Sequence, residues 1–479
     1  MPLLHSGGMP DERFEDHLRY PRGRGHVPAG SHAATAGSSA CGDVVRMDLA
    51  VSGGIVSGAG FDAEGCGATI AAASAAVELV DGAPILDAAR IGTEDVASAL
   101  GGLSLGKRHA ADLAADALAQ ALGAAVSADA QLQPDPRRTL VAMSGGVDSA
   151  VAALLCAHED GAEPVAVTLE LWRDADNDAE RSCCSASAVR NARALAHRMG
   201  LPHLTLDLRD EFRAGVVDPW IADHAAGLTP NPCVRCNGHV RLDAMLDLAE
   251  RLGAAKLATG HYARVTPDGL IRAAADPAKD QAYMLAALAP SSVARMRFPL
   301  GELTKPQVRE LAEREGLPVA RTPDSQDLCF LAGTGREAFF ARHGGPRERP
   351  GRTVDLAGRT VSRHRGAHAY TVGQRRGVGA GGGSGEPLYV TATDVEANTV
   401  TVGPRAALRR TDIVLTALTL HRPPAEIDAA KLRYHATPVP AVLEGEQLTL
   451  GEPVWGVAPG QTAVLLRGDV VVGCATIAP

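Results

Sequence analysis

Aromatic residues are scarce in this chain of 479 residues, at 3% against 46% hydrophobic residues in all, so its cores must be built from Ala, Val and Leu. Long apolar runs are missing too: nothing approaches the roughly 18 continuous apolar residues of a membrane span. The opening Met1-Pro-Leu-Leu-His lacks the basic segment and apolar stretch of a secretory signal, so a cytoplasmic protein without a membrane partner is expected. Excess positive charge is absent as well. A formal net charge of −9 argues against indiscriminate nucleic-acid binding, which needs many Lys and Arg to neutralise phosphates. Nine cysteines in so long a chain make no disulfide framework, and clustered thiols then point to metal or catalysis.

The length allows several domains. Charge is uneven along it. Between 341 and 380 stand nine arginines, at 342, 347, 349, 352, 359, 363, 365, 375 and 376, against Glu348 and Asp355. Such a basic surface on an acidic protein suits a chosen polyanion, and equally a solvated Arg-rich loop region. Residues 128–138, polar and with two prolines, read as a linker. Before them, strands over 45–51 and 55–61 flank Gly53-Gly54, a hairpin signal, and helices are expected over 68–80 and 111–124. After them strand and helix alternate: strands at 140–143, 165–169, 203–206 and 256–259, helices at 148–157, 185–199 and 240–252. That alternation predicts a doubly wound parallel sheet. Beyond about 345 helical periodicity fades, and strands over 413–420, 432–443, 448–450 and 463–477 predict a closing β-barrel.

The first strand after the linker runs into Ser144-Gly145-Gly146-Val147-Asp148-Ser149 and then a helix. Adjacent glycines let backbone approach a phosphate, and the helix N-terminus offers unpaired N–H groups and a positive dipole end. Ser144 and Ser149 add hydroxyls, and Asp148 is a candidate to help hold Mg²⁺. The lysine of the GxxxxGK[ST] loop is absent. The string instead resembles the pyrophosphatase-type loop of enzymes that cleave ATP between the α and β phosphates and adenylate a substrate oxygen.

Further motifs follow in order: Thr229-Pro230-Asn231-Pro232-Cys233-Val234-Arg235-Cys236-Asn237, Ala258-Thr259-Gly260-His261-Tyr262, Lys279-Asp280-Gln281, Gly301-Glu302-Leu303-Thr304-Lys305-Pro306, Ser325-Gln326-Asp327-Leu328-Cys329-Phe330, Thr371-Val372-Gly373-Gln374-Arg375-Arg376-Gly377 and Pro459-Gly460-Gln461. Together they resemble the tRNA-specific 2-thiouridylase family across residues 138–479. That resemblance implies ATP-dependent replacement of the C2 oxygen of a tRNA wobble uridine by sulfur. Cys329 would carry a persulfide and Cys236 would attack it. Ala142, Met143, Ser144, Gly145, Gly146, Val147, Asp148, Ser149, Leu169 and Gly260 would line the ATP site. Asn231, Pro232 and Cys233 would lie against the target base, and His261, Lys279, Asp280, Gln281, Arg433, Tyr434 and Gln461 would touch tRNA. Cys233 is aspartate in some members. With Cys236 and Cys329 it makes three thiolates, which also suit an iron–sulfur cluster or zinc. Cys183 and Cys184 are adjacent on a helix start and diverge, while Cys156 and Cys474 lie in apolar runs and belong to cores.

Residues 11–124 carry a second set: Asp16-His17-Leu18-Arg19-Tyr20-Pro21-Arg22-Gly23-Arg24-Gly25, Ala40-Cys41-Gly42-Asp43, Gly65-Cys66-Gly67-Ala68, Leu100-Gly101-Gly102-Leu103 and Lys107-Arg108-His109. They resemble the U-type iron–sulfur cluster scaffold family, an α+β fold. Cys41, Asp43, Cys66 and His109 match its metal ligands, but the third cysteine is replaced by Ala110. Two thiolates, a carboxylate and an imidazole still satisfy zinc or a small cluster. A degenerate module that only docks a cysteine desulfurase or another sulfur donor is the alternative.

The expected layout is a scaffold-like domain over 1–127, the linker, an ATP-binding catalytic domain over 139–345, a small tRNA-contacting domain over 346–408 and a barrel over 409–479. Two other readings stay open: an adenylating synthetase that moves nitrogen and needs neither Cys236 nor Cys329, and an iron–sulfur assembly or carrier protein without ATP-dependent action on tRNA.

Overall fold

The computed structural model describes residues 12–37, 42–173, 186–324, 328–331, 333–378 and 387–479. Gly53-Gly54 turns strand Val44–Ser52 back onto Ile55–Glu64, and His32–Gly37 completes an antiparallel three-stranded sheet. Helices Gly67–Val80 and Arg108–Asp129 are apolar almost all round and are buried, as that pattern requires.

The alternating region forms one parallel sheet in the order Met296–Arg297, Ala254–Ala258, Asp135–Ala142, Glu163–Glu170, His203–Asp207. Chain order reverses between Asp135–Ala142 and Ala254–Ala258. A crevice therefore opens at their C-terminal ends, where ligands enter open α/β sheets. Residues 144–149 follow the first of these strands and 259–261 the second.

The expected 128–138 linker is largely taken up by its neighbours, since the helix continues to Asp129 and the strand begins at Asp135. Its middle is tied down as well: Gln131 N–H donates to Gly53 O, and Leu132 N–H donates to Arg251 O at 2.8 Å. The long helix Arg108–Asp129 lies directly on edge strand His203–Asp207. A Cβ on Gly123 would stand 1.8 Å from Thr205 O, so only glycine permits that approach. Arg193 reaches across to Asp116, both buried, and Arg190 adds a 3.4 Å contact to the same carboxylate. Ala89 O accepts from His203 N–H (2.8 Å) and lies 3.1 Å from His197 Nε2. One apolar cluster runs from Leu118 and Leu122 through to Leu204 and Leu206. The N-terminal module is welded to the nucleotide sheet, because that sheet's edge would otherwise expose unpaired backbone and apolar side chains.

A four-stranded sheet follows in the order Thr360–His364, Gly351–Val354, Thr399–Gly403, Tyr389–Asp394. The C-terminal strands close into a six-stranded barrel, Arg409–Leu420, Gln447–Trp455, Val439–Glu444, Ala429–Lys431, Thr462–Arg467 and Val470–Ile477, the last pairing back onto the first. Two expected strands differ in the structure. That over 432–443 is confined to Val439–Glu444, because residues 432–438 turn and Pro438 has no N–H to offer a ladder, and 463–477 divides at Gly468 (φ +60°). An unforeseen hairpin of the nucleotide domain, Ala263–Val265 and Ile271–Ala273, extends the barrel sheet through Val470 and Arg272. No helix among the described residues is long and apolar enough to cross a membrane.

Candidate functional site

Strand Asp135–Ala142 ends in a loop that the two serines cinch. Ser149 Oγ receives Ser144 N–H at 3.1 Å, donates to Gly146 O at 3.0 Å and lies 3.2 Å from Ser144 Oγ. Helix Val147–Ala157 then starts without any side-chain cap, which leaves its first amides for a ligand. Gly260 closes the opposite wall, where a Cβ would sit 2.7 Å from Ser149 N. Of the expected nucleotide residues, Ala142, Met143, Ser144, Asp148, Ser149, Leu169 and Gly260 line this cleft and Gly145, Gly146 and Val147 do not; Thr168, Leu171, Arg241, Met245, His261 and Gln281 line it as well.

Three of those residues act differently from expectation or were not foreseen. Asp148 is matched by Lys305, whose buried ammonium donates to both carboxylate oxygens (2.7 and 2.8 Å), while Tyr262 Oη donates at 2.8 Å. Both oxygens of the expected Mg²⁺ candidate Asp148 are therefore engaged within the protein. Lys305 also meets Asp324, which pairs further with Lys279 and Arg309. Burial would raise the Asp324 pKa, but these cations outweigh it and bring it down to about 2. Arg241 has no carboxylate partner among the described residues and keeps its Nε buried without a hydrogen bond. Its Nη2 donates to His261 Nε2 at 3.0 Å, so His261 carries its proton on Nδ1, toward Thr259 Oγ1 at 2.7 Å. Burial, with Arg241 beside it, lowers the His261 pKa to about 3.

The Cys233-x-x-Cys236 motif opens a helical run that ends at Arg251. Asn231 caps it, its side-chain oxygen accepting from Cys233 N–H (3.1 Å) and Val234 N–H (3.3 Å). A π-helical turn, Asn237–Arg241, links Pro232–Cys236 to Leu242–Arg251, so one rod carries Cys236 and the cleft-lining Arg241 and Met245. Cys329 lies 93 residues beyond Cys236 along the chain. Its neighbour Phe330 packs on Trp220 (5.1 Å), Phe339 (5.3 Å), Phe212 (6.0 Å) and Trp172 (6.5 Å), and Trp172 adjoins the cleft-wall residue Leu171. With Phe340 on Trp220, two of the chain's three tryptophans and four of its seven phenylalanines gather here. Cys236 is buried and Cys329 half-buried.

The barrel braces this motif. Thr229 N–H donates to Pro459 O (2.8 Å), and the Gln461 side-chain amide donates to Thr229 O. Tyr434 stacks 5.9 Å from Tyr283; burial raises its pKa, as do Asp280 and Cys233 close by. Lys279, Asp280 and Gln281 are engaged internally: with Asp324, with the Ala274 and Ala282 amides, and with Tyr262 N–H. Arg433 is exposed on a barrel loop. Residues 325–327, like Cys41, Cys183 and Cys184, lie outside the described residues. Cys156 and Cys474 are core residues, and burial pushes each thiol up to about 11.

A second constellation lies in the N-terminal module, where ligand atoms of Asp43, Cys66 and His109 all fall within 4.8 Å of one another. Thr69 Oγ1 donates to Asp43 Oδ2 (2.7 Å), and this is the main reason that the Asp43 pKa is lowered. His109 Nδ1 lies 3.0 Å from Gly106 O, which can only accept, and its Nε2 stands 3.4 Å from Asp43 Oδ2. A carbonyl holding one imidazole nitrogen while the other faces a carboxylate and a thiol is the usual setting of a metal-binding histidine. Ala110 is fully buried in the core.

Sequence comparison adds the lineage. Residues 137–333 match the profile described as tRNA methyl transferase HUP domain, 11–128 the NifU-like N terminal domain, 337–404 the tRNA methyl transferase PRC-barrel domain and 411–477 the aminomethyltransferase beta-barrel domain. A bifunctional protein NifU/MnmA of Rubrobacter xylanophilus is 44% identical over 95% of this chain and 96% of its own length. The chain belongs to the NifU-fused branch of the tRNA-specific 2-thiouridylase family. Unfused thiouridylases align with 71% of it: those of Roseiflexus castenholzii, 40% identical, and Salinispora tropica, 44% identical, are each covered over 99% of their length. Within this thiouridylase fold, sequence reasoning missed Arg241 and the roles of Lys305 and Tyr262. The last two stood inside quoted motifs, Thr304-Lys305-Pro306 and His261-Tyr262, and a buried-cation reading of those motifs was the available signal.

Proposed function

We propose that the chain uses ATP to activate the C2 oxygen of a tRNA wobble uridine and replaces it with sulfur carried on Cys329. The uncapped helix at Val147 and the Arg241 guanidinium would receive the phosphates, while Leu169 and Gly260 would flank the nucleoside. Attack of the uridine C2 oxygen on the α-phosphorus expels pyrophosphate and leaves an adenylated base. The outer sulfur of a Cys329 persulfide then adds at C2 and AMP departs with the oxygen. Cys236 thiolate attacks Cys329 Sγ, the bond between the two persulfide sulfurs breaks, and the outer sulfur stays as the C2 thiocarbonyl. A Cys236–Cys329 disulfide remains, which an external dithiol must reduce before the next turnover.

The observation that carries this reading is the shared architecture of the cleft. One helical rod bears both Cys236 and Arg241, and an aromatic cluster joins Phe330, beside Cys329, to the same cleft wall. His261 stays neutral near pH 7 and orients Arg241. In the N-terminal module Asp43, Cys66 and His109 fit a transition-metal ion, which would tie the loops that carry them. Tyr20, Val27 and Leu105 are exposed on that module and suit the docking of a protein sulfur donor. Welding it to the nucleotide sheet raises the local concentration of that donor.

Incubation with unmodified tRNA, ATP, Mg²⁺ and a desulfurase with cysteine, followed by nucleoside mass spectrometry, tests the reading. Wild type is expected to yield 2-thiouridine, and C236A and C329A none. Retained activity in both variants favours a nitrogen-transferring synthetase. Bound iron and sulfide with no change in tRNA favours an assembly protein.

A further inference from the structure

Trp455 ends a barrel strand with 44% of its surface exposed, although aromatics are only 3% of the chain. The Arg405 guanidinium sits 5.1 Å from its ring centroid. Arg409 is the cross-strand partner of Trp455, so both side chains leave the same face of the barrel. Arg433 and Glu452 line the same pocket. Arg405, Arg409 and Arg433 have no ion-pair partner among the described residues, although the protein as a whole is acidic. Gly456, next in the chain, packs backbone to backbone on Gly373, which brings the exposed Arg375 and Arg376 to the edge of the patch. The same segment continues to Pro459 and Gln461, which hold the Cys loop at Thr229.

We propose that this pocket binds one unpaired nucleotide of the RNA substrate, with the base stacked on Trp455, its phosphates held by Arg405 and Arg433, and an exocyclic amine donating to Glu452. A flat ring flanked by unpaired guanidinium groups is the pattern that takes single-stranded nucleotides by stacking plus backbone charge. Its place on the strand leading to the Cys loop makes it a registering contact: it fixes how far along the RNA the reactive uridine lies. The inference rests on the thiouridylase reading and adds to it a residue remote from the chemistry.

The test uses the full chain and an unmodified tRNA transcript. Trp455→Ala is expected to weaken tRNA binding about ten- to a hundred-fold, the range for loss of one base stack. It should raise KM for tRNA by a similar factor. Trp455→Phe keeps a stacking face and stays within about threefold of wild type, and Arg405→Ala lowers the salt slope of binding by about one. Wild-type affinity in Trp455→Ala overturns the proposal. So does an equal loss in Trp455→Phe accompanied by a lower melting temperature, which marks a structural tryptophan. If wild type thiolates tRNA and Trp455→Ala does so with the same KM, only this inference fails. If wild type neither binds nor thiolates tRNA, the functional reading fails with it.

Discussion

The two thiol sites of this protein are built in opposite ways. In the N-terminal module, Cys66 is exposed, and Asp43, Cys66 and His109 already converge within 4.8 Å, oriented by Thr69 and Gly106. Cys236, buried on the helical rod that also bears the cleft-lining Arg241, and Cys329, half-buried next to Phe330 of the aromatic cluster, come from elements 93 residues apart in sequence. A preassembled ligand set suits holding one thing in one geometry. Thiols on two separate elements, one buried and one half-buried, suit a sequence in which sulfur–sulfur bonds form and break. The proposed function puts group transfer at the second site and retention or docking at the first.

The strongest way to break that contrast is to exchange the expected phenotypes. C329A should lower thiolation by about a thousand-fold or more, since a removed nucleophile leaves only binding and electrostatic assistance. Cys66→Ala should leave thiolation from a soluble sulfide donor within about twofold of wild type, yet weaken zinc or iron binding by about ten- to a hundred-fold or more, read by metal titration. Thiolation lost in Cys66→Ala with the soluble donor would merge the two sites into one pathway.

The next test concerns the weld between the two regions. Asp116→Ala strands the buried Arg193 guanidinium and should cost about 3–5 kcal/mol in denaturant unfolding, whereas Asp87→Ala, an exposed ion pair with Arg90, should cost less than about 1 kcal/mol. Equal costs would mean that the modules touch without depending on each other. A smaller effect is expected at the nucleotide cleft. Lys305→Gln leaves Asp148 and Asp324 without their shared cation and should reduce ATP-dependent turnover by about ten- to a hundred-fold, with sulfur loading of Cys329 unchanged.

A further test is a pH slope. His261 has a folded pKa of about 3 against an ordinary 6.5, so the unfolded chain binds the extra proton in between. Its contribution to stability is complete above about pH 6.5 and is lost as pH falls toward 3. His261→Gln should flatten the stability profile between pH 6 and 4 while leaving pH 7 to 9 parallel to wild type. An unchanged profile would contradict the neutral, Arg241-bonded imidazole.

Legibility in the sequence followed the range of the interactions. The cinched loop at 144–149, the Gly53-Gly54 hairpin and the alternating parallel sheet rest on local signals, and the structure carries all three. Barrel strands were harder: Pro438 and Gly468 are local signals, yet 432–443 read as one strand although its first half is a turn, and the β-forming flanks of Gly468 made 463–477 read as one strand. The weld was illegible, because Gly123 and Asp116 look like ordinary members of an Ala-rich helix until Thr205 and Arg193 are set beside them. Arg241 was hidden for the same reason. Its meaning comes from His261, 20 residues on, and from the lack of a carboxylate partner among the described residues of the folded chain.

The most direct test of the central claim is a single turnover without reductant. Cys329 is first loaded with labelled persulfide, tRNA and ATP are added, and the protein is digested under non-reducing conditions. Label appearing in 2-thiouridine, with one Cys236–Cys329 disulfide per thiolated base, is the predicted result. Labelled 2-thiouridine formed while Cys236 and Cys329 both remain thiols would contradict it.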